Sequence, residues 1–274
     1  MPAATSRTAA ALVAAAGAAA LALATPATAA PAATAPQASS PQASSHASSA
    51  FGPAPVQRRG AHHPHTRFDG GSVWGGYVAQ GSGFQNISGS WTMPQVQCNT
   101  ANDLFAPWVG IDGYGSQTVE QTGVQVDCSS GSPVLSGWYE MYPAPPQYFN
   151  DPVSTGDSFT GAVSTDGSGN YTLTLTDNTQ GWTESTQQQL DGQNVSAEAV
   201  IESPTQSYPS FGRLDFSNVT VNGQAFDAFG PQAIDSGQYT ETALSNGSFS
   251  IVPAGGGFAR TNHTTADRPA SIRY

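Results

Sequence analysis

The chain has 274 residues, of which 19 are acidic, eight are arginine and none is lysine. The formal charge is −15 from Phe68 onward and +4 before it. An acidic domain of this kind repels nucleic acid and anionic membranes, so neither is an expected partner.

Residues 1–30 are typical of a secretory signal peptide. Arg7 gives a short positive region, an alanine-rich apolar stretch follows, and Ala27-Thr28-Ala29 offers a small-residue cleavage site. The apolar stretch is too short to favour a membrane span. We therefore predict a secreted, extracellular protein. The only cysteines, Cys98 and Cys128, are expected to pair in an oxidising compartment, the alternative being two separate thiols.

Residues 31–67 are rich in alanine, proline and serine and lack a hydrophobic period, so we predict a disordered leader. Its basic stretch from Arg58 to Arg67 is compatible with a removable propeptide that docks on the acidic domain, or with a solvated linker. Residues 68–274 are enough for a single domain.

The domain shows short runs rich in Val, Thr and aromatic residues, separated by turn residues, and a helical turn is expected only at Gln187–Leu190. This pattern predicts an all-β fold, an antiparallel β-sandwich of two large sheets with a concanavalin-like architecture. An irregular tail follows Gly255, with a possible edge strand at Ser271–Tyr274. The clearest predicted strands are Val73–Ala79, Phe84–Thr92, Trp108–Asp112, Gln117–Val126, Val134–Tyr142, Ser158–Val163, Asn170–Thr176, Ser196–Glu202, Arg213–Val221 and Phe249–Val252.

Strand parity separates polar from apolar residues, because residues two apart on a strand share a face. One face of four strands is apolar and suits the core. The other combines Trp, Tyr, Gln, Glu and Asp, which favours a concave surface for peptide or sugar. The residues predicted to share it are Trp108, Asp112, Gln121, Trp138, Glu140, Glu198 and Glu202.

The residue types present exclude several catalytic classes. His263, in the predicted tail, is the only histidine after Phe68, and lysine is absent, so a serine nucleophile has no positioned base. A cysteine nucleophile is excluded because the two cysteines are expected to pair. A catalytic zinc site would have to consist almost entirely of carboxylates, which is unusual. Carboxylate chemistry, either peptidase or glycosidase, or binding without catalysis remains.

Four motifs decide between these alternatives. Trp108-Val109-Gly110-Ile111-Asp112-Gly113 is followed by Gln121-Thr122-Gly123, Trp138-Tyr139-Glu140 and Ala197-Glu198-Ala199-Val200-Ile201-Glu202. Over roughly residues 72–252 these motifs, in this order, resemble the glutamic peptidases, or eqolisins. The resemblance implies a secreted acid endopeptidase that cleaves proteins or peptides as a monomer, without a cofactor or metal.

The same resemblance assigns roles to individual residues. Glu202 matches the catalytic glutamate, a general base towards water, and Gln121 matches the catalytic glutamine, which stabilises the oxyanion. Five further positions match residues that line the substrate cleft: Trp74, Trp108, Asp112, Trp138 and Glu140.

The chain departs from the family pattern at three points. The spacing from Asp112 to Gln121 is one residue short, Gln125 stands near the position of a usual aspartate, and Glu120 replaces a usual apolar residue. The alternative is a secreted lectin-like, carbohydrate-binding sandwich without catalysis, and a β-sandwich glycosidase comes third.

Overall fold

The computed structural model describes Phe51 and residues 73–255, all within the compact unit Gln42–Tyr274. The predicted signal peptide, the rest of the leader, His263 and the predicted tail with its possible edge strand lie outside the described residues. Within the described part, no helix is long and apolar enough to cross a membrane.

The described residues form seventeen β-strands and one short 3₁₀ helix, Phe226–Phe229. The strands are β1 Val73–Gln80, β2 Asn86–Thr92, β3 Val96–Gln97, β4 Leu104–Asp112, β5 Val119–Asp127, β6 Val134–Tyr142, β7 Gln147–Tyr148, β8 Ser158–Thr165, β9 Asn170–Asp177, β10 Trp182–Gln189, β11 Ser196–Ser203, β12 Ser210–Phe211, β13 Leu214–Val221, β14 Gln224–Ala225, β15 Gln232–Ile234, β16 Tyr239–Glu241 and β17 Phe249–Pro253.

Two large antiparallel sheets make the sandwich that the sequence predicted. The first, which we call the site sheet, has the order β15-β1-β11-β4-β5-β6-β7. The second has the order β10-β9-β8-β2-β13-β17-β16, with β14 paired to β13, and β12 pairs with β3 separately. All ten predicted strands are confirmed, within a few residues at their ends.

The main core lies between the two sheets and combines β-branched, leucine and aromatic side chains such as Val109, Trp91 and Phe159. A second buried cluster lies on the opposite face of the site sheet and includes Trp74, Trp108 and Trp138. The central strands of the site sheet are therefore buried on both faces, which explains why β4, β5 and β11 have no exposed residue.

The helical turn predicted at Gln187–Leu190 is wrong, because Gln187–Gln189 belong to the edge strand β10. Glutamine favours helices weakly, and here pairing along the whole length of β9 decides the conformation. The side chains of β10 alternate between exposed and half-buried, without an apolar period that would have marked the strand.

The pairing of Cys98 with Cys128 is confirmed, with Cα atoms 5.6 Å apart and a sequence separation of 30. The bond ties the segment after β3 to the end of β5, the strand that carries Gln121. Replacing both cysteines with serine should lower the free energy of unfolding by about 3–4 kcal/mol, because a loop of this length is no longer closed in the unfolded chain. Urea unfolding of the double variant beside the disulfide-bonded wild type measures it, and the reduced wild type should match the variant. An unchanged midpoint would contradict the prediction.

Candidate active site

Rows of side chains run across the site sheet on the face away from the main core. Cross-strand register aligns Glu198 with Gly110, Gly110 with Gln121, and Gln121 with Glu140. The neighbouring row aligns Val200, Trp108, Gly123, Trp138 and Tyr148 in the same way. The pairing predicted from strand parity is therefore correct for these two rows, and motifs far apart in the chain become neighbours.

Glycine at two positions makes this packing possible. A Cβ atom at Gly123 would lie 2.6 Å from the Cβ of Trp108, and one at Gly110 would lie 2.8 Å from the Trp108 ring. Such contacts do not occur between real side chains, so larger residues would displace Trp108. The Gly residues of the two motifs thus leave the room that the Trp108 indole fills.

Glu202 is held by this indole. The Trp108 ring N–H donates to Glu202 Oε2 over 2.9 Å, and both residues are fully buried. Trp74 packs edge-on against Trp108, with ring centroids 4.8 Å apart. The two tryptophans thereby fix the orientation of the Glu202 carboxyl on β11.

Gln121 and Glu140 form a second pair. Gln121 Nε2 donates to Glu140 Oε2 over 2.8 Å, and neither side chain is exposed. Burial, and after it the charge of Glu202, raises the pKa of Glu140 to about 9. Glu140 is therefore protonated and neutral in acid, which leaves Glu202 without a competing negative charge from this neighbour.

Phe51 occupies the space over this pair, although the leader was predicted to be disordered. Gln121 Nε2 donates to the Phe51 carbonyl oxygen over 2.6 Å, and the Phe51 N–H donates to Glu140 Oε2 over 3.1 Å. The Phe51 ring stacks on Trp138 at 4.4 Å, and the residue is 0% exposed. The structure describes Phe51 alone of residues 31–67, and the disorder predicted for this leader stays a prediction. Sequence reasoning missed this contact, although Phe51 is the first aromatic residue of the chain.

Asp112 does not join the group around Gln121. It ends β4 with a left-handed φ of 65°, and its carboxylate accepts three backbone N–H groups, from Gln193, Asn194 and Val195, at 2.7–2.8 Å. These bonds anchor the segment before β11. The carboxylate is thus engaged in the fold, and the place of Asp112 among the residues that line the cleft stays a prediction.

Two further glutamates of the site sheet are buried. Glu120 points to the opposite face from Gln121, between Ile111 and Met141, and burial, followed by the charge of Asp112, raises its pKa to about 8. Glu198 is fully buried, and burial raises its pKa well above the usual range. Arg213 is the only basic residue in the range 73–255, and it contacts Asp215. Burial therefore favours the protonated, neutral form of both Glu120 and Glu198.

Comparison with known proteins gives consistent results. The model of the Peptidase A4 family matches residues 72–251. Aspergillopepsin-2 from Aspergillus niger is 26% identical over 216 residues, which are 66% of this chain and 77% of that protein. Scytalidopepsin B from Scytalidium lignicola is 36% identical over 106 residues, and the match spans 37% of this chain and only 39% of that protein.

Solved structures share the fold. Scytalido-glutamic peptidase, crystallised with a peptide-based transition-state analogue, aligns with a TM-score of 0.57 at 24% identity, over 66% of this chain and 98% of that chain. SCP-B, described as a member of the eqolisin family and bound to the tripeptide Ala-Ile-His, aligns with a TM-score of 0.51 at 21% identity, over the same shares of the two chains.

Proposed function

The chain belongs to the Peptidase A4 family, and on that premise we propose that Glu202 and Gln121 are its catalytic pair. Membership makes it a glutamic-type endopeptidase, which hydrolyses peptide bonds in proteins or peptides. Family membership therefore favours the peptidase over the lectin-like and glycosidase alternatives. The roles of individual residues, like the secreted and monomeric state, are our proposals.

One observation carries the assignment of Gln121. Its side-chain amide donates to a main-chain carbonyl oxygen, that of Phe51, at 2.6 Å. An oxyanion stabiliser must make this contact with the carbonyl that is attacked. An amide serves well because it donates at every pH and does not compete for the proton. Glu140, protonated in acid, accepts from the same Nε2 and fixes its direction.

In the proposed reaction, the Glu202 carboxylate takes a proton from a water molecule, whose oxygen attacks the carbonyl carbon. The negative charge moves to the carbonyl oxygen, where the Gln121 amide stabilises it. Glu202 then gives its proton to the amide nitrogen as the carbon–nitrogen bond breaks. The hydrogen bond from Trp108 to Glu202 Oε2 keeps the carboxyl in place through both transfers.

The cleft aromatic residues would bind substrate. Trp138 offers a flat ring face, which the Phe51 ring covers in this structure. Trp74 packs edge-on against Trp108 and holds it in position. Secretion is supported by the disulfide, since such bonds persist mainly in oxidising compartments. Action as a monomer stays a prediction.

Replacing Gln121 with alanine should reduce kcat/KM for casein in acid by about 10²–10³-fold, the usual effect of losing one oxyanion donor. Gln121 lies on a strand that is buried on both faces, so circular dichroism must show that the variant is folded. Gln117→Ala is the matched control, because Gln117 is exposed just before β5, and it should keep wild-type activity. A folded Gln121→Ala enzyme with near wild-type activity would refute the role of Gln121.

A further inference from the structure

A further polar contact crosses the face of the site sheet beside Trp138. The Tyr148 hydroxyl donates to Gln125 Oε1 over 2.6 Å. Tyr148 lies on the edge strand β7 and Gln125 on β5, so the contact spans the strand β6 between them. In the cross-strand register Gln125 is opposite Ser136 on β6. The short side chain of Ser136 leaves room for the two longer side chains to meet above it.

The Tyr148–Gln125 pair bounds one end of the space over the Trp138 ring. On β6, Ser136 and Glu140 lie on the same face as Trp138, one on each side of it along the strand. Tyr148 is the register partner of Trp138 and packs against the buried cluster that contains this tryptophan. The space that the Phe51 ring fills in this structure therefore has Glu140 on one side and the Tyr148–Gln125 pair on the other.

The Tyr148–Gln125 pair is uncharged. Burial, and after it the charges of Glu140 and Asp127, raises the pKa of the Tyr148 hydroxyl, so this group stays protonated and donates. Its acceptor is an amide oxygen, which does not ionise. Gln125 stands near the position where the family pattern has an aspartate, and a carboxyl there would acquire a charge as pH passes about 4. This chain thus has a neutral group where a carboxylate would repel acidic side chains.

We propose that Tyr148 and Gln125 form the wall of a substrate subsite whose floor is Trp138, and that this wall selects the side chain bound there. The proposal rests on the peptidase function proposed above. Tyr148 is half-buried and would contact the substrate, whereas Gln125 is 2% exposed and acts by holding Tyr148 in position. An aromatic floor favours a large apolar side chain, and a neutral wall also admits an acidic one.

Peptide libraries in which each position around the cleaved bond is varied in turn measure this selection. Tyr148→Phe removes the donor and Gln125→Leu removes the acceptor. Each should weaken the preference at one and the same position by about 3- to 10-fold, the usual effect of one hydrogen bond. The loss should appear in KM and not in kcat, because neither group touches the reacting atoms. The double variant should lose no more than either single variant, since all three lack the same bond.

Gln125→Asp tests the role of charge with an independent variant. Discrimination against Asp and Glu at the same substrate position should grow about tenfold more between pH 3 and pH 5 in this variant than in the wild type, because two carboxylates then face each other. Gln117→Asp is the matched control. It adds the same carboxyl at an exposed position just before β5 and should follow the wild type.

Circular dichroism establishes that each variant is folded before its preference is measured. Folded variants with the wild-type preference at every position, an equal loss at all positions, or additive losses in the double variant would overturn the assignment of the wall and leave the proposed function standing. A folded wild-type enzyme that cleaves neither casein nor any library peptide in acid would instead overturn the proposed function.

Discussion

Glu202→Gln should reduce peptidase activity in acid by about 10²–10⁴-fold, the range that a positioned general acid–base contributes. Glutamine keeps the size of the side chain and an oxygen that accepts from the Trp108 indole, so the buried hydrogen bond at 2.9 Å survives. What is lost is the ability to take a proton from water and return it to the leaving nitrogen. The rate is measured on casein or on a defined peptide, with circular dichroism as the check of folding.

Glu198→Gln is the matched control for this experiment. Glu198 lies on the same strand and the same face, four residues before Glu202, and is equally buried. Burial keeps its carboxyl protonated in acid, so a neutral amide of the same shape changes little at the pH of the assay. Activity of Glu198→Gln should stay close to that of the wild type. Equal losses in the two variants would indicate a structural effect and would remove the special role of Glu202.

The sequence predicted most of the fold because its strands follow a period of two and end at turn residues. The strands of the site sheet were harder to predict, since β4, β5 and β11 are buried on both faces and show little alternation of polar and apolar residues. Their faces were nevertheless assigned correctly, because the polar and Trp residues of the motifs are two residues apart. The strand β10 was missed because it is an edge strand without an apolar face.

The candidate site was predictable where a role depends on strand position alone. Gln121 and Glu140 are cross-strand partners, as parity allows. Two features depend on tertiary contacts and were not predictable. Asp112 turns its carboxylate towards the backbone of residues 193–195, and Phe51 contributes a contact from a segment that has no periodic pattern. Residues 72–251 hold the family motifs, so resemblance gave no signal for Phe51 either.

The buried carboxyls predict that the folded domain is more stable in acid than at neutral pH. Burial raises the pKa of Glu120 to about 8 and that of Glu140 to about 9, and it also raises that of Glu198, whereas an unfolded glutamate titrates near 4.3. A group with a raised folded pKa contributes stability that is complete below the unfolded pKa and is lost as pH rises through the folded value. Stability should therefore fall between about pH 4 and pH 9.

Asp103 has the opposite influence on stability, and it acts at lower pH. Burial tends to raise the pKa of Asp103, but hydrogen bonds from Ser207, Thr100 and Asn99 outweigh it and lower the pKa overall. Such a group stabilises the fold above its unfolded pKa, near 3.9, and this contribution disappears as pH falls further. The two trends together place the maximum of stability near pH 4.

Thermal melts of the processed domain from pH 3 to pH 9 measure this dependence, and Glu120→Gln isolates one of its causes. Glu120 faces the sandwich core, and the neutral amide of the variant cannot ionise there as pH rises. The melting temperature of the variant should therefore fall less between pH 4 and pH 8 than that of the wild type. Asp191→Asn removes the same formal charge at an exposed position and separates this local effect from the general repulsion among the acidic residues. If Asp191→Asn flattened the profile as much as Glu120→Gln, net charge and not the buried carboxyl would be the cause. A melting temperature that rises steadily to pH 8 would contradict the prediction altogether, because the depressed carboxyls would then outweigh the buried ones.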